Sequence, residues 1–212
     1  MTRLDEDRLL SRAPMILALE MSSSSGSVAV GEPGRIIVAR TFSGVSPSAA
    51  LFSSLQDLGL PALRIHTVIV GLGPGSFSSI RVSIAAAQAI AFSKGARLRS
   101  LCSAWSLALQ FPDIGRLGVF ADARRGELYG TLFSFGRLTR STFVFAKREL
   151  ATWIRNLDLA VASEDLGPGL HRAFPRAEDF LRIPEEDPAF SDEPFPEPIY
   201  LRGPVSVPAT AF

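Results

Sequence analysis

One continuous stretch, residues 67–95 (TVIVGLGPGSFSSIRVSIAAAQAIAFSKG), constrains the fold of this chain more than any other. It begins with a β-branched run at 68–70, which is typical of a strand covered on both faces, as in parallel sheets. A Gly-Pro-Gly turn at 73–75 follows, and then a helix with almost no polar face. A helix this apolar should be buried on both sides. The succession of strand, tight turn and buried helix therefore predicts an α/β fold.

Two explanations account for this helix. It is either a central helix buried within its own domain, or a helix whose small residues admit a second helix at close range. In the second case one face receives a partner chain, because soluble monomers seldom expose a contiguous apolar patch. Arg81 lies in the first turn, where the positive end of the helix dipole disfavours a cation unless an anionic partner is present.

Composition limits the class of protein. With 212 residues, of which 47% are hydrophobic and 20% charged, the chain fits one large or two small folded domains. A net charge of +1 argues against a broad nucleic-acid footprint, which needs a cationic surplus. The single cysteine fits a reducing compartment. We see neither a secretory signal nor an apolar run of about 20 residues, so we expect a cytoplasmic protein without a membrane segment.

Hydrophobic patterns predict the order β-β-β-α-β-α for the first half of the chain. The predicted elements are strands at 15–20, 26–31 and 35–42, a helix from Ser46 or Ser48 to about Leu58, and the central strand and helix. A strand at 98–101, a helix after Ser103 and strands at 117–121 and 128–135 come next. The remainder, with a helix near 147–153, a strand near 159–162 and a turn at 167–169, is a shortened second α/β half. The predicted division is a polar lead-in at 1–14, an N-terminal lobe at 15–102, a reduced C-terminal lobe at 103–183 and a proline-rich tail at 184–212, either draped on the body or loose.

Conventional catalytic patterns are hard to find. The two histidines, His66 and His171, lie far apart and lack metal-ligand spacing. Cys102 lies at a strand-to-helix junction, where a helix could activate it, but without a nearby histidine we expect a structural cysteine. We therefore expect no catalytic residue and no metal site.

The sequence gives weaker signs of a nucleotide-binding site. The turn before the central helix is similar to a phosphate-cradling loop, because successive backbone N–H groups at a helix start bind anions. Glu20, at the end of the first strand, could hold magnesium through water. The candidate cofactor-binding residues are therefore Glu20, Gly73, Gly75 and Ser76, although no Walker A pattern is present and we expect no cofactor. The charged turn at 122–127 is either a solvated hairpin tip or a polar contact surface.

Four segments in register resemble the bacterial TsaB (YeaZ) family. VGLGPGSFSSIR resembles the G-x-G-P-G-S-F-T-G-x-R signature, and MILALEMSSSSGSVAV resembles the opening I-L-A-I-D-T-S hairpin. VFADARRGELYG resembles the D-A-R-x-G-E-V-Y hairpin, and PIYLR the terminal P-x-Y-L-R. The resemblance covers about residues 15–202 and gives structural roles to the motif residues Gly73, Pro74, Gly75, Ser76, Phe77, Arg81, Asp122, Arg124, Gly126, Glu127, Tyr200 and Arg202.

The resemblance implies an actin-like ATPase (ASKHA, ribonuclease H-like) fold with two related lobes, the C-terminal one reduced. It also implies a role in making N6-threonylcarbamoyladenosine at position 37 of tRNA. In that pathway the TsaB-like subunit is a non-catalytic relative of the TsaD transferase and pairs with it through helices, the TsaE ATPase joins them, and contact with tRNA is at most indirect. A homodimer is implied when the subunit is alone. The expected interface residues are Ala49, Phe52, Leu55, Ser83, Ile84, Ala87, Gln88 and Ala91.

Several positions depart from the family pattern. Glu20 replaces an Asp, Met21 a Thr, and Ser83 a common Gly, while Ser78 and Ser79 replace Thr-Gly. These changes weaken the case for nucleotide binding and leave the partner role intact. Two alternatives stay open, an ASKHA-type ATP-binding enzyme and a divergent homodimeric paralogue with another partner.

Overall fold

The computed structural model describes residues 15–44 and 46–201. Five strands form a first mixed sheet in the order β3-β2-β1-β4-β5. They are β1 (Met15–Glu20), β2 (Gly26–Glu32), β3 (Arg35–Phe42), β4 (Ile65–Gly71) and β5 (Arg97–Leu101). The central strand β1 is antiparallel to β2 and parallel to β4, and all six of its residues are buried, as a strand covered on both faces requires.

A second sheet repeats this topology. Its strands are β6 (Leu117–Arg124), β7 (Glu127–Ser134), β8 (Arg137–Ala146), β9 (Leu159–Ala162) and β10 (His171–Arg172), in the order β10-β9-β6-β7-β8. Strand β6 is antiparallel to β7 and parallel to β9, as β1 is to β2 and β4. Strand order and direction therefore match throughout, and the two lobes are related.

Helices distinguish the lobes. The helices are α1 (Pro47–Asp57), α2 (Phe77–Lys94), α3 (Ala104–Gln110), α4 (Leu150–Ile154) and α5 (Ala177–Phe180), with 3-10 turns at Leu60–Ala62 and Lys147–Glu149. Helix α4 occupies the position of α1 in the second lobe but has 5 residues instead of 11. A turn replaces the counterpart of the 18-residue α2 between β9 and β10. The predicted α/β fold with two related lobes, the C-terminal one reduced, is confirmed.

The lobes exchange helices across their boundary. Helices α1 and α2 cover one face of the first sheet, and α5 covers the other face with Phe180 and Leu181. Helix α3 follows the first sheet in the chain, yet its Leu107 packs in the core of the second sheet. The predicted boundaries at residues 102 and 183 stay a prediction, since α5 lies in one predicted lobe and packs on the other.

The tail is draped on the first sheet. Residues Ser100 and Ser191 exchange backbone hydrogen bonds of 2.8 and 2.9 Å, and the Ile199 N–H donates to the Leu72 carbonyl at 2.9 Å. Asp192 forms ion pairs with Arg97 and Arg99 on β5. The predicted lead-in at 1–14, the tail beyond residue 201 and the motif residue Arg202 lie outside the described residues. No helix in the described part of the chain is long and apolar enough to cross a membrane.

Candidate functional site

The predicted motifs meet at a cleft between the two sheets. A cavity of about 300 Å³ is lined by the β1–β2 turn, the Gly-Pro-Gly turn and the β6–β7 hairpin, with the side chains of Ser22, Ser23, Ser24, Ser76, Ser79, Asp122, Arg124 and Glu164 among them. A neighbouring cavity of about 210 Å³ shares Gly75, Ser76, Asp122 and Arg124, and adds Phe77, Tyr129 and Tyr200. Segments far apart in sequence therefore form one continuous polar cleft with an aromatic end.

The Gly-Pro-Gly turn is fastened to its surroundings through its own N–H groups. The Gly73 N–H donates to Ser103 Oγ at 2.9 Å, and the Ser76 N–H donates to the Ser22 carbonyl at 2.7 Å. Gly75 has φ +154°, and a Cβ there would lie 2.0 Å from the Ser22 oxygen, so only glycine fits this close approach. Two of the N–H groups in this turn therefore already have partners within the chain, and a phosphate cradle built on Gly73, Gly75 and Ser76 stays a prediction.

Glu20 is a structural residue. Its side chain is fully buried, its Oε1 accepts the Ser22 N–H at 2.5 Å, and its Oε2 accepts the Ser103 hydroxyl at 2.6 Å. Burial raises the pKa of this carboxyl above its ordinary value, although the hydrogen bonds from Ser103 and Ser22 oppose the shift. Each carboxylate oxygen of Glu20 therefore already accepts a hydrogen bond from the chain itself, and the role of Glu20 in holding magnesium through water stays a prediction.

The β6–β7 hairpin forms one wall of the cleft. Its tip places Arg124, Arg125 and Gly126 at φ +66°, +53° and +77°, a left-handed conformation that side chains rarely adopt. Asp122 Oδ1 accepts the Arg124 N–H at 2.8 Å, and its Oδ2 lies 3.2 Å from Arg124 Nη1. These bonds hold the tip in place.

The hairpin also bonds the segment that follows β9 in the same lobe. The Asp122 N–H donates to Glu164 Oε1 at 2.8 Å, a contact that no sequence motif indicated. Asp122 and Arg124 therefore face the cavities, whereas Gly126 and Glu127 do not line them. The hairpin is thus more than a solvated tip.

Five of the predicted interface residues lie inside the chain. Leu55, Ser83, Ile84, Ala87 and Ala91 are at most 6% exposed and belong to the core between the first sheet and its helices. Gln88 is half-buried, whereas Ala49 and Phe52 on α1 are exposed. A partner could not contact the five buried residues without unfolding α2 from its sheet, so this part of the predicted interface is wrong. The sequence could not separate the faces of a helix that is apolar all round.

A different face of the same helices is open. Ala85, Ala89 and Phe92 on α2 and Ala49 and Phe52 on α1 are exposed, with Phe92 at 93% and Phe52 at 56%. We call these five residues the α1–α2 face. Of the two explanations for α2, burial on both sides within the chain does not hold, because Ala85, Ala89 and Phe92 are exposed. The other explanation, a face that receives a partner, stays a prediction.

Arg81 lies at the N-terminal end of α2, and its guanidinium lies 5.6 Å from the centre of the Phe77 ring. Phe77 in turn contacts Tyr200 of the tail, with ring centres 6.0 Å apart. The aromatic contact, rather than an anionic partner, accounts for the position of Arg81. The first and last predicted motifs thereby meet at the end of this helix.

Cys102 is half-buried, and burial raises the pKa of its thiol, so it is not an activated nucleophile. Its sulfur lies 3.6 Å from Thr142 Oγ1. Within residues 15–44 and 46–201, no three His, Cys, Asp or Glu side chains are grouped to hold a metal ion.

Comparisons with known proteins place this geometry in context. The model of the family TsaD, tRNA N6-adenosine threonylcarbamoyltransferase, matches residues 46–144. An uncharacterized protein of Mycobacterium tuberculosis is 28% identical over 172 residues, covering 74% of each chain. The tRNA threonylcarbamoyladenosine biosynthesis protein TsaB of Bacillus subtilis is 28% identical over 87 residues, covering 41% of this chain and 38% of that protein.

Among solved structures, YeaZ from Pseudomonas aeruginosa superposes with a TM-score of 0.62 at 23% identity, covering 79% of this chain and 89% of that one. The shared fold covers most of the chain, while the family model matches the segment from α1 to β8. The resemblance to the TsaB (YeaZ) proteins that the four motifs predicted is therefore confirmed.

Proposed function

We propose that this chain is a non-catalytic subunit in the synthesis of N6-threonylcarbamoyladenosine in tRNA, and that it supports a TsaD-like transferase by pairing with it. The matching TsaD family model, the name of the Bacillus subtilis relative and the YeaZ-like fold support this role. A TsaE-like ATPase would join the pair in the larger complex.

The α1–α2 face is the observation that carries the proposal. Two helices side by side present exposed alanines at Ala85 and Ala89, where a partner helix can approach closely, since interaxial distance is set by the side chains at the contact. Phe52 on α1 and Phe92 on α2 are exposed as well and offer the large apolar anchors on which binding energy concentrates. A cavity of about 530 Å³ beside Phe92 extends the apolar surface to Leu98 and Phe195.

The cleft supports a silent role rather than an ATPase. The residue expected to anchor magnesium, Glu20, instead bonds Ser22 and Ser103, and the N–H groups of Gly73 and Ser76 are likewise used within the chain. Calorimetry with ATP and magnesium tests this point directly. We expect no heat of binding at millimolar nucleotide, and saturable binding there would favour the ASKHA-type enzyme.

Co-purification with the TsaD-like protein of the same cell tests the partnership. Ala89→Glu places a charge at the centre of the α1–α2 face, where an unpaired buried charge costs several kcal/mol, about 3 or more. We expect this variant to fold normally and to lose the partner. Ala151→Glu, on an exposed alanine of α4, is the matched control and should bind as the wild type does.

A folded Ala89→Glu variant that still binds would refute the interface. Light scattering of the chain alone addresses the homodimer, which would use the same face. We expect a dimer that dissociates when the transferase is added, and the Ala89→Glu variant should be a monomer.

A further inference from the structure

A basic cavity lies away from the cleft, where α3, α5 and the edge strand β10 meet. Its volume is about 470 Å³, and its rim carries His171, Arg172, Arg176 and Arg182. Gln110, Phe111, Phe174 and Asp179 complete the lining that matters here. We call this the arginine cavity, and neither the motifs nor the proposed partnership gives it a role.

Positive charge is concentrated at this cavity. The whole chain has a net charge of +1, yet this lining holds three arginines against one aspartate. Asp179 is 1% exposed, and its carboxylate lies 3.7 Å from Arg182. Arg172 and Arg176 are exposed, and in the described part of the chain neither forms an ion pair. Two guanidinium groups are therefore free to bind an anion.

A buried polar network holds the frame of the cavity. Asp179 Oδ2 accepts hydrogen bonds from Ser106 Oγ at 2.8 Å and from Gln110 Nε2 at 3.0 Å. Gln110 Nε2 also donates to the Phe174 carbonyl at 3.0 Å, and the Arg176 N–H donates to Ser106 Oγ at 2.7 Å. The backbone that carries the arginines is thus fixed before any ligand arrives, which lowers the entropy cost of binding.

Aromatic rings accompany the charges. The Phe111 and His171 rings meet edge to face with centres 5.5 Å apart, and the Arg172 guanidinium lies 5.4 Å from the Phe174 ring. Arginine forks bind phosphate oxygens in a bidentate manner, and aromatic or guanidinium planes stack on unpaired bases. This combination suits a phosphodiester strand better than an acidic peptide, which offers no bases to stack.

We propose that the arginine cavity binds the sugar-phosphate backbone of single-stranded RNA. Contact between this chain and RNA is then direct, in contrast to the indirect contact implied by the family resemblance. RNA binding at this cavity needs only the chain itself and no transferase partner.

Fluorescence anisotropy with a labelled, unstructured RNA of about 20 nucleotides, measured over a range of salt concentrations, tests the proposal. Each phosphate contact contributes about 0.7 to the slope of the logarithm of the binding constant against the logarithm of the salt concentration. The double variant Arg172→Gln/Arg176→Gln should bind roughly tenfold more weakly at low salt and lose about 1.4 of that slope. The control Arg137→Gln/Arg148→Gln removes the same charge from exposed positions elsewhere and should change affinity less than about twofold.

Three results would overturn the proposal. One is the absence of RNA binding by the wild-type chain, and another is an equal loss in both double variants, which would reflect net charge alone. The third is that Arg172→Gln/Arg176→Gln weakens the binding of a labelled polyglutamate peptide as much as it weakens RNA binding, which would indicate a site for acidic peptides. Circular dichroism should show equal melting of both variants, since all four side chains are exposed.

Discussion

Removing the Ser103 hydroxyl should destabilise the chain far more than its size suggests. This hydroxyl donates to Glu20 Oε2 at 2.6 Å and accepts the Gly73 N–H at 2.9 Å, so it links β1 to the Gly-Pro-Gly turn. Ser103→Ala removes both bonds and leaves a buried N–H and a buried carboxylate oxygen without this partner. The residue is 1% exposed, so water cannot replace it without opening the structure.

The magnitude follows from the two losses. A hydrogen bond to a charged group contributes about 1.5–3 kcal/mol, and an unsatisfied buried donor costs about 1–3 kcal/mol. We expect a combined loss of about 3 kcal/mol in the free energy of unfolding. For a chain of this length that corresponds to a melting temperature lower by about 6–12 °C.

Urea unfolding at neutral pH, followed by circular dichroism, measures this loss, and Ser100→Ala is its matched control. Ser100 is also 1% exposed, but its Oγ has no hydrogen-bond partner among the residues that the structure describes. Its removal should therefore cost less than about 0.5 kcal/mol or even stabilise the fold. Equal effects of the two substitutions would refute the assignment of Ser103 as the link.

Three further predictions concern the stability of the fold. Burial raises the pKa of the Glu20 carboxyl, so the folded chain keeps the carboxyl proton at pH values at which the unfolded chain has lost it. The free energy of unfolding therefore falls as the pH rises above the ordinary glutamate pKa. Glu20→Gln should not show this fall in urea titrations from about pH 4 to 7. Gly75→Ala should cost more than about 2 kcal/mol, because its Cβ would lie 2.0 Å from a carbonyl oxygen, whereas Gly126→Ala at φ +77° in open space should cost about 1 kcal/mol. Ala87→Asp should unfold the chain and Ala89→Asp should not, as circular dichroism would show, because only Ala87 is buried.

The first sheet was predictable because its signals are local. Strands β1 to β3 and helix α1 were predicted within a few residues of their observed bounds, since their apolar patterns and turns lie within short windows. The sequence did not predict strand β8, because residues 137–141 are all exposed. They are polar except for a single leucine, so no alternation of apolar and polar residues marks an edge strand. The two-residue β10 and the four-residue α5 are too short to leave a period.

The site was less predictable because its contacts are long-range. Glu20 and Ser103 are 83 residues apart in sequence, and no local pattern indicates that the Ser103 hydroxyl donates a hydrogen bond to the Glu20 carboxylate. The contacts of Phe77 with Tyr200 and of Asp122 with Glu164 likewise join segments that are far apart in sequence. The motifs identified the segments that line the cleft, but only the packing showed that their polar groups bond one another.

The exposed face of α2 shows why the partner interface could not be located from the sequence. Ala87 and Ala89 are two residues apart and chemically identical, yet one is in the core and the other on the surface, so composition alone cannot locate an interface. Phe92 is 93% exposed, and no contact within the described part of the fold accounts for so large an apolar side chain at this position. Burying a phenylalanine contributes about 1.5–3 kcal/mol, which corresponds to a tenfold to hundredfold change in Kd. Phe92→Ser should therefore weaken partner binding by at least about tenfold while leaving the free energy of unfolding unchanged, and a variant that binds normally would place the partner elsewhere.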